Sequence, residues 1–351
     1  MPPLLTTSVE EQTIAFRLAD PDDTRASVSL WCDLDVGDPK FSQVPGGWAL
    51  DLPYGGPRDL AIDRIEYLFD VDGALGLDPG NPLVVPGAFG DHSWLPLPGY
   101  SPPSWLDVHP ALGERASATL EDTPVGQVDL EVWAPAGVDG GEPLPLLITH
   151  DGPEMDSLGG LTHYVGAMVE SGALPPMRVA LLSPGDRNKR YAANPAYATT
   201  LVDHVVPMLA EACPSPVLPV LMGQSLGALA ALHASWTAPG VFAGLFLQSG
   251  SFFTPELDAQ ESGFEFWSEV TGFVATVLGA KRAAPGVATI AFGCGSAEEN
   301  LANNRLMAAQ LRHTGADVSW HEVRDGHTWT CWRDQLDPAL TELLMKVWAR
   351  R

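Results

Sequence analysis

The sequence predicts two domains of different class. Residues 1–104 read as an immunoglobulin-like antiparallel β-sandwich with a Pro-rich arm, and residues 105–351 as an α/β domain whose mostly parallel sheet carries helices on both faces. Three observations lead there. Residues 12–71 hold short alternating or apolar stretches punctuated by Asp, Gly and Pro clusters. Beyond about residue 113, short runs that are apolar throughout alternate with helix-length segments, as in a sheet buried on both faces. Between the two lies a Pro- and Gly-rich stretch, 78–104, that cannot be helical and reads as an extended arm and linker.

In the first part the expected strands are Thr13–Leu18, Ala26–Trp31, Trp48–Leu52 and Ile65–Phe69. In the second, Val128–Trp133 alternates as a half-buried strand. Leu144–Thr149, Val179–Leu182, Val217–Met222, Leu245–Leu247 and Ala288–Phe292 read as fully buried strands, and Val318–Val323 as one more. Helices are expected near 158–171, 195–211, 226–237, 301–313 and 334–349.

Composition narrows the function. Hydrophobic residues make up 45% of the chain and charged residues 18%, which supports a full core and excludes a mainly disordered chain. The 44 acidic and 19 basic residues leave a net charge of −25, spread along the whole chain. Such a surface repels phosphate backbones and anionic headgroups, so neither nucleic acid nor a membrane surface is an expected partner. No apolar run is long enough to span a bilayer. The first residues carry no basic stretch followed by an apolar one, and Cys32, Cys213, Cys294 and Cys331 form no C-x-x-C pair. Both features point to a reduced, cytoplasmic setting, with Cys294 and Cys331 expected to pack rather than to bridge. The nine histidines lack metal-ligand spacing, and no metal or cofactor is expected.

The most informative segment is Gly223-Gln224-Ser225-Leu226-Gly227, set between an apolar strand and a run of good helix formers. A serine on a tight strand-to-helix turn is lifted clear of the sheet, and small residues two positions either side relieve the crowding. The helix that follows offers the Leu226 N–H to an oxyanion. This arrangement belongs to the α/β-hydrolase fold, whose chain order is nucleophile, acid, histidine. The acid is sought after the 288–292 strand, where Glu298 is preferred, with Glu299 and Asp325 as alternatives. The histidine is sought after the 318–323 strand, where His327 sits in a Gly-bearing turn; His321 lies inside the strand and reads as structural.

These residues resemble the enterochelin (ferric enterobactin) esterase-like group of α/β-hydrolases. The matching pieces are Gly223–Ala228, Gln248–Phe252, Glu298-Glu299-Asn300 with Asn304-Arg305, and Gly326-His327-Thr328-Trp329 with Cys331–Arg333. Asp151-Gly152, Arg187 with Arg190-Tyr191, Tyr67–Phe69 with Asp72-Gly73, and Asp78-Pro79 with Asn81-Pro82 match as well. The resemblance implies Ser225 as nucleophile, His327 as base, Glu298 as acid and an oxyanion hole from the Gly152 and Leu226 N–H groups. It implies hydrolysis of a siderophore-type trilactone with release of iron. A ferric triscatecholate is a trianion, so this acidic chain needs a local basic cluster to hold it, for which Arg187, Lys189, Arg190, Arg324 and Arg333 are the candidates. Arg187, Arg190, Phe252 and Trp329 are the expected substrate contacts, with Asp91, His92 and Trp94 of the arm beside them. The alternatives are a general carboxylesterase acting on a neutral aryl or acyl ester, and a catalytically silent binding protein on the same fold.

Overall fold

The computed structural model of the chain describes residues 6–56, 60–282 and 289–348. Ala288, which opens one expected strand, and Ala349, which closes the last expected helix, lie outside the described residues. The chain forms two compact units. One comprises Met1–Ser101 with Gly295–Glu299 and Val323–Cys331; the other comprises Pro102–Cys294, Asn300–Glu322 and Trp332–Arg351.

The first unit is a β-sandwich. Its strands are β1 (Ser8–Glu10), β2 (Thr13–Ala19), β3 (Val28–Trp31), β4 (Ser42–Val44), β5 (Gly47–Pro53), β6 (Arg64–Val71), β7 (Ala74–Gly76), β8 (Val84–Val85) and β9 (His92–Pro96). They form a four-stranded sheet in the order β1-β2-β5-β4 and a second sheet in the order β3-β6-β9-β8, with β7 on β6. Every pairing is antiparallel. Period-two alternation explains the core: Ile14, Phe16 and Leu18 of β2 and Ile65, Tyr67 and Phe69 of β6 are buried together. Aromatic edges lock it, with the Phe16 and Tyr67 ring centres 4.9 Å apart and those of Phe41 and Phe69 5.2 Å apart.

The 78–104 stretch is not a free arm. The expectation rested on its prolines, but His92-Ser93-Trp94-Leu95 contains none, and its Ser93 and Leu95 alternate inward as a strand beside β6. Ahead of it, the buried Asp78 accepts hydrogen bonds from Tyr67 Oη at 2.8 Å and from Thr7 Oγ1 and the Gly80 N–H, which fastens the start of the segment to the sandwich core.

The second unit has the α/β-hydrolase fold. Its strands are β10 (Glu114–Leu120), β11 (Val128–Ala134), β12 (Leu146–Thr149), β13 (Arg178–Leu182), β14 (Val220–Gln224), β15 (Gly244–Gln248), β16 (Thr289–Gly295) and β17 (Val318–Val323), in the spatial order β10-β11-β13-β12-β14-β15-β16-β17. β12 to β16 run parallel, and β10 and β11 add an antiparallel edge. β10 escapes a sequence reading because it is mostly exposed and its alternation rests on the small Ala116 and Ala118 ahead of Leu120.

The helices are α1 (Gly152–Ser157), α2 (Leu161–Glu170), α3 (Arg187–Tyr191), α4 (Pro195–Thr199), α5 (Val206–Ala212), α6 (Leu226–Thr237), α7 (Trp267–Leu278), α8 (Leu301–His313), α9 (Trp329–Asp334) and α10 (Thr341–Trp348). A π-helical turn, Thr200–Val205, joins α4 to α5 into the expected 195–211 helix. The helix expected near 334–349 is interrupted at Asp337, whose extended backbone (φ −116°, ψ 126°) kinks the chain within Leu336–Leu340.

Sequence order reverses direction at β12, which has β13 on one side and β14 on the other. Such a switch point opens a crevice at the C-terminal ends of the strands, where α/β proteins place their ligands. His150–Gly152 follow β12 and Ser225 follows β14, so both segments sit at that edge.

Candidate active site

Ser225 caps α6 with φ 56° and ψ −122°, a conformation that L-residues rarely adopt. Neighbouring hydrogen bonds hold it there: the Ser225 N–H donates to Gln248 O at 2.9 Å, and the Ser225 carbonyl accepts from Ala228 N at 3.1 Å and from Ser251 N at 3.1 Å. The turn tolerates no side chain at Gly223, where a Cβ would lie 2.4 Å from the Gly227 backbone. The Ser225 hydroxyl is partly exposed and stands 3.2 Å from Ser251 Oγ. Ser251 lies in the Gln248–Phe252 piece that carries the family resemblance, but its local pattern assigns it no role; the approach of the loop after β15 brings it to the Ser225 turn.

Gly152 and Leu226 are the first residues of α1 and α6, so their N–H groups have no intrahelical acceptor. The α1 turn is tightly made. Asp151 adopts φ 48°, and a Cβ on Gly152 would lie 2.4 Å from the Leu181 backbone. The Arg187 fork closes on Asp151, with Nε and one Nη each 2.9 Å from a carboxylate oxygen, while its guanidinium lies 5.4 Å from the Tyr191 ring centre. Beneath the turn, His150 Nδ1–H donates to Met222 O at 3.0 Å, and burial lowers its pKa to about 4 so that it stays neutral.

In the other unit, Glu298 and His327 meet. The buried Glu298 places Oε2 2.6 Å from His327 Nδ1, and its Oε1 accepts the Gly295 N–H. Burial works against the charged form of His327, but the hydrogen bond to Glu298 and the charges of Glu298, Asp33 and Glu299 outweigh it and raise the pKa above the ordinary 6.5. A histidine fixed at Nδ1 by a carboxylate leaves Nε2 to take and return a proton. Glu299 is exposed. Asp325 is committed elsewhere, with one oxygen 2.7 Å from an Arg64 Nη and the other accepting the Gly326 N–H. His321 lies within β17.

The other sequence candidates fall into distinct surroundings. Arg190 donates to the Gln127 carbonyl at 2.7 Å and more weakly to those of Val125 and Pro184. Arg324 pairs with Asp63 at 2.8 Å and Arg333 with Asp334 at 2.7 Å. Phe252 is wholly buried, with its ring centre 5.9 Å from that of Phe292; it is core beneath the Ser225 turn and offers no face to a ligand. Trp329 opens α9 and is partly exposed. His92 keeps Nδ1 3.5 Å from Glu66 Oε2 and its ring 5.4 Å from that of Trp31. The four cysteines are unbridged, and no helix among the described residues is long and apolar enough to cross a membrane.

The sequence profile of the Putative esterase family matches residues 123–343. An iron(III) enterobactin esterase of Escherichia coli K12 is 31% identical over 125 residues, covering 35% of this chain and 29% of that protein. One from Dickeya dadantii 3937 is 28% identical over 200 residues, 55% of this chain and 46% of that protein, so the matched region spans less than half of either relative. The crystal structure of ferric enterobactin esterase from Salmonella typhimurium superposes with a TM-score of 0.76 at 20% identity, over 95% of this chain and 93% of that one. The chain belongs to the Putative esterase family and is similar to the iron(III) enterobactin esterases.

Proposed function

We propose that the protein is a serine carboxylic-ester hydrolase that opens a siderophore-type trilactone and so releases its iron. The observation that carries this reading is the Ser225 turn, held in a strained conformation at the head of α6. In the proposed reaction Ser225 Oγ attacks the ester carbonyl while His327 Nε2 takes its proton. Glu298 keeps the imidazole oriented and stabilises its charge. The tetrahedral oxyanion is received by the Gly152 and Leu226 N–H groups, and His327 returns the proton to the leaving alcohol. Water, activated by the same histidine, then frees the acyl group. The four unbridged cysteines suit a reducing compartment, and the reaction is assigned to the cytoplasm.

The substrate assignment draws on the relatives, and one observation favours a second reading. Of the five basic residues expected to hold a trianion, Arg187, Arg324 and Arg333 face carboxylates and Arg190 is spent on carbonyls. In a chain of net charge −25, this suits a neutral ester. One assay series separates the readings: hydrolysis of a ferric catecholate trilactone, of the iron-free trilactone and of p-nitrophenyl butyrate, by wild type and Ser225→Ala. The expected result is turnover of the ferric trilactone with visible loss of its iron-catecholate absorbance, and a fall of about 10³-fold or more on every ester in Ser225→Ala. Turnover of the p-nitrophenyl ester alone replaces the siderophore reading with the neutral one. Undiminished turnover by Ser225→Ala sinks the serine mechanism.

A further inference from the structure

The unit built by residues 1–101 contains the two turns that carry Glu298 and His327. One stretch of the sandwich, residues 61–66, grips both of them. The Ala61 carbonyl accepts Ser296 Oγ at 2.8 Å, on the turn of Glu298. Asp63 meets Arg324 twice: its N–H donates to the Arg324 carbonyl at 2.7 Å, and its carboxylate takes the Arg324 side chain at 2.8 Å. Arg64 then reaches over His327. One Nη donates both to Asp325 at 2.7 Å and to Thr328 Oγ1 at 2.6 Å, two residues before His327 and one after it. The other Nη donates to Glu66 at 2.6 Å.

These contacts have an unusual origin. On β6, Ile65, Tyr67 and Phe69 point into the sandwich, so Arg64 and Glu66 point out of its opposite face. That face should be solvated, yet Arg64 is only 1% exposed. A guanidinium is buried so deeply only when paired and hydrogen-bonded, and here its partners flank the histidine. The loop is held on from a second side as well: Leu34 packs on Gly326, where a Cβ would lie 2.8 Å from Leu34 Cδ2. The Thr328 hydroxyl also accepts the Cys331 N–H at 3.1 Å, so the grip extends into α9.

We infer that Arg64 is a positioning residue for catalysis: through Asp325 and Thr328 it sets the place of His327 relative to Glu298, making the N-terminal sandwich part of the acid–base apparatus. The inference rests on the proposed roles of His327 and Glu298. Misplacing a catalytic group by about 1 Å costs on the order of 100-fold in rate, whereas substrate affinity should barely change.

The test uses the full-length protein with p-nitrophenyl butyrate. Arg64→Met is expected to lower kcat by about 100-fold and Arg64→Lys by about 10-fold, since an ammonium keeps the charge but cannot span the same partners. KM should stay within about two-fold in both. The low-field proton resonance of the His327 Nδ1–Glu298 hydrogen bond should move or vanish in the same order. A role in stability alone lowers Tm but leaves kcat and that resonance intact below Tm, and such a result in Arg64→Lys overturns the inference. If Arg64→Met does not fold, Thr328→Val joins Arg64→Lys, and wild-type kcat in both is equally fatal. The underlying reading fails separately: full activity in His327→Ala removes the base itself, whereas a dead His327→Ala beside fully active Arg64 variants removes only the role of Arg64.

Discussion

The two halves of the proposed triad are built in opposite ways. The Ser225 turn is local. Its strand β14, its helix α6 and its two glycines lie within residues 220–237, and its backbone is held by hydrogen bonds from α6, from the end of β15 and from the loop that follows β15. The Glu298–His327 pair is assembled from afar. Its turns are fastened by residues 61–66, with Arg64 and Thr328 264 positions apart and Ala61 and Ser296 235 apart. The contrast teaches that the turn of the proposed nucleophile is shaped within the hydrolase domain, while the proposed acid–base pair is held by the sandwich. An N-terminal domain that looks like an addition is thus tied to the turns that carry Glu298 and His327.

The largest expected effect tests whether the two halves act as one. His327→Ala should lower kcat by about 10³-fold or more, like Ser225→Ala, and the double variant should lose little further because each residue works only through the other. Additive losses would mean that the halves contribute separately, and the contrast would then describe two unrelated sites. Kinetics of the two single variants and the double variant on one small ester decide it.

A smaller effect sharpens the assignment of the acid. Glu298→Gln should cost on the order of 100-fold, less than loss of serine or histidine, because the imidazole keeps some function without its orienting carboxylate. Glu299→Gln should leave kcat near wild type, since Glu299 is exposed and only its charge reaches His327. The reverse ranking would place the acid at Glu299 and detach the histidine from the carboxylate now 2.6 Å away.

The same contrast explains what was legible in the sequence. Local patterns carried through: α6 and α8 begin and end where their periodicity places them, and the buried strands from β12 to β16 stand out as apolar runs. Gly223, Ser225 and Gly227 announce a turn whose sequence signal lies within a few residues, although Gln248 and Ser251 help to hold it. What escaped was long-range. Arg64 precedes the expected Ile65–Phe69 strand and carries no signal of its own, because the packing of a distant loop buries it. Ser251 reads as a loop serine because its neighbour is 26 positions back. The paired state of Arg187 was equally invisible, since Asp151 is 36 positions away. Phe252 looked like a pocket wall because composition cannot tell an aromatic in a crevice from one in the core beneath it.

The smallest expected effect asks whether the sandwich tunes the base as well as holding it. His327 carries a raised pKa whose causes include the charge of Asp33, an exposed residue of the sandwich that is not a member of the triad. The sign is definite. A base must be neutral to act, so raising its pKa moves the rising limb of kcat/KM to higher pH, above the ordinary 6.5 of histidine. Removing a nearby negative charge destabilises the imidazolium and moves the limb back down. Asp33→Asn should therefore shift the limb to lower pH, and Glu299→Gln should do the same. Both shifts should be smaller than that of Glu298→Gln, which removes a hydrogen bond as well as a charge. High salt should shrink the Asp33 and Glu299 shifts, because exposed charges are screened, while the buried Glu298 contribution persists. The measurement is the pH profile of kcat/KM for a neutral ester, whose own charge does not change with pH. A limb that stays in place in Asp33→Asn at low salt would confine the sandwich to a mechanical role; a limb that moves down and recovers with salt would show the N-terminal domain setting the base's proton affinity from outside the triad.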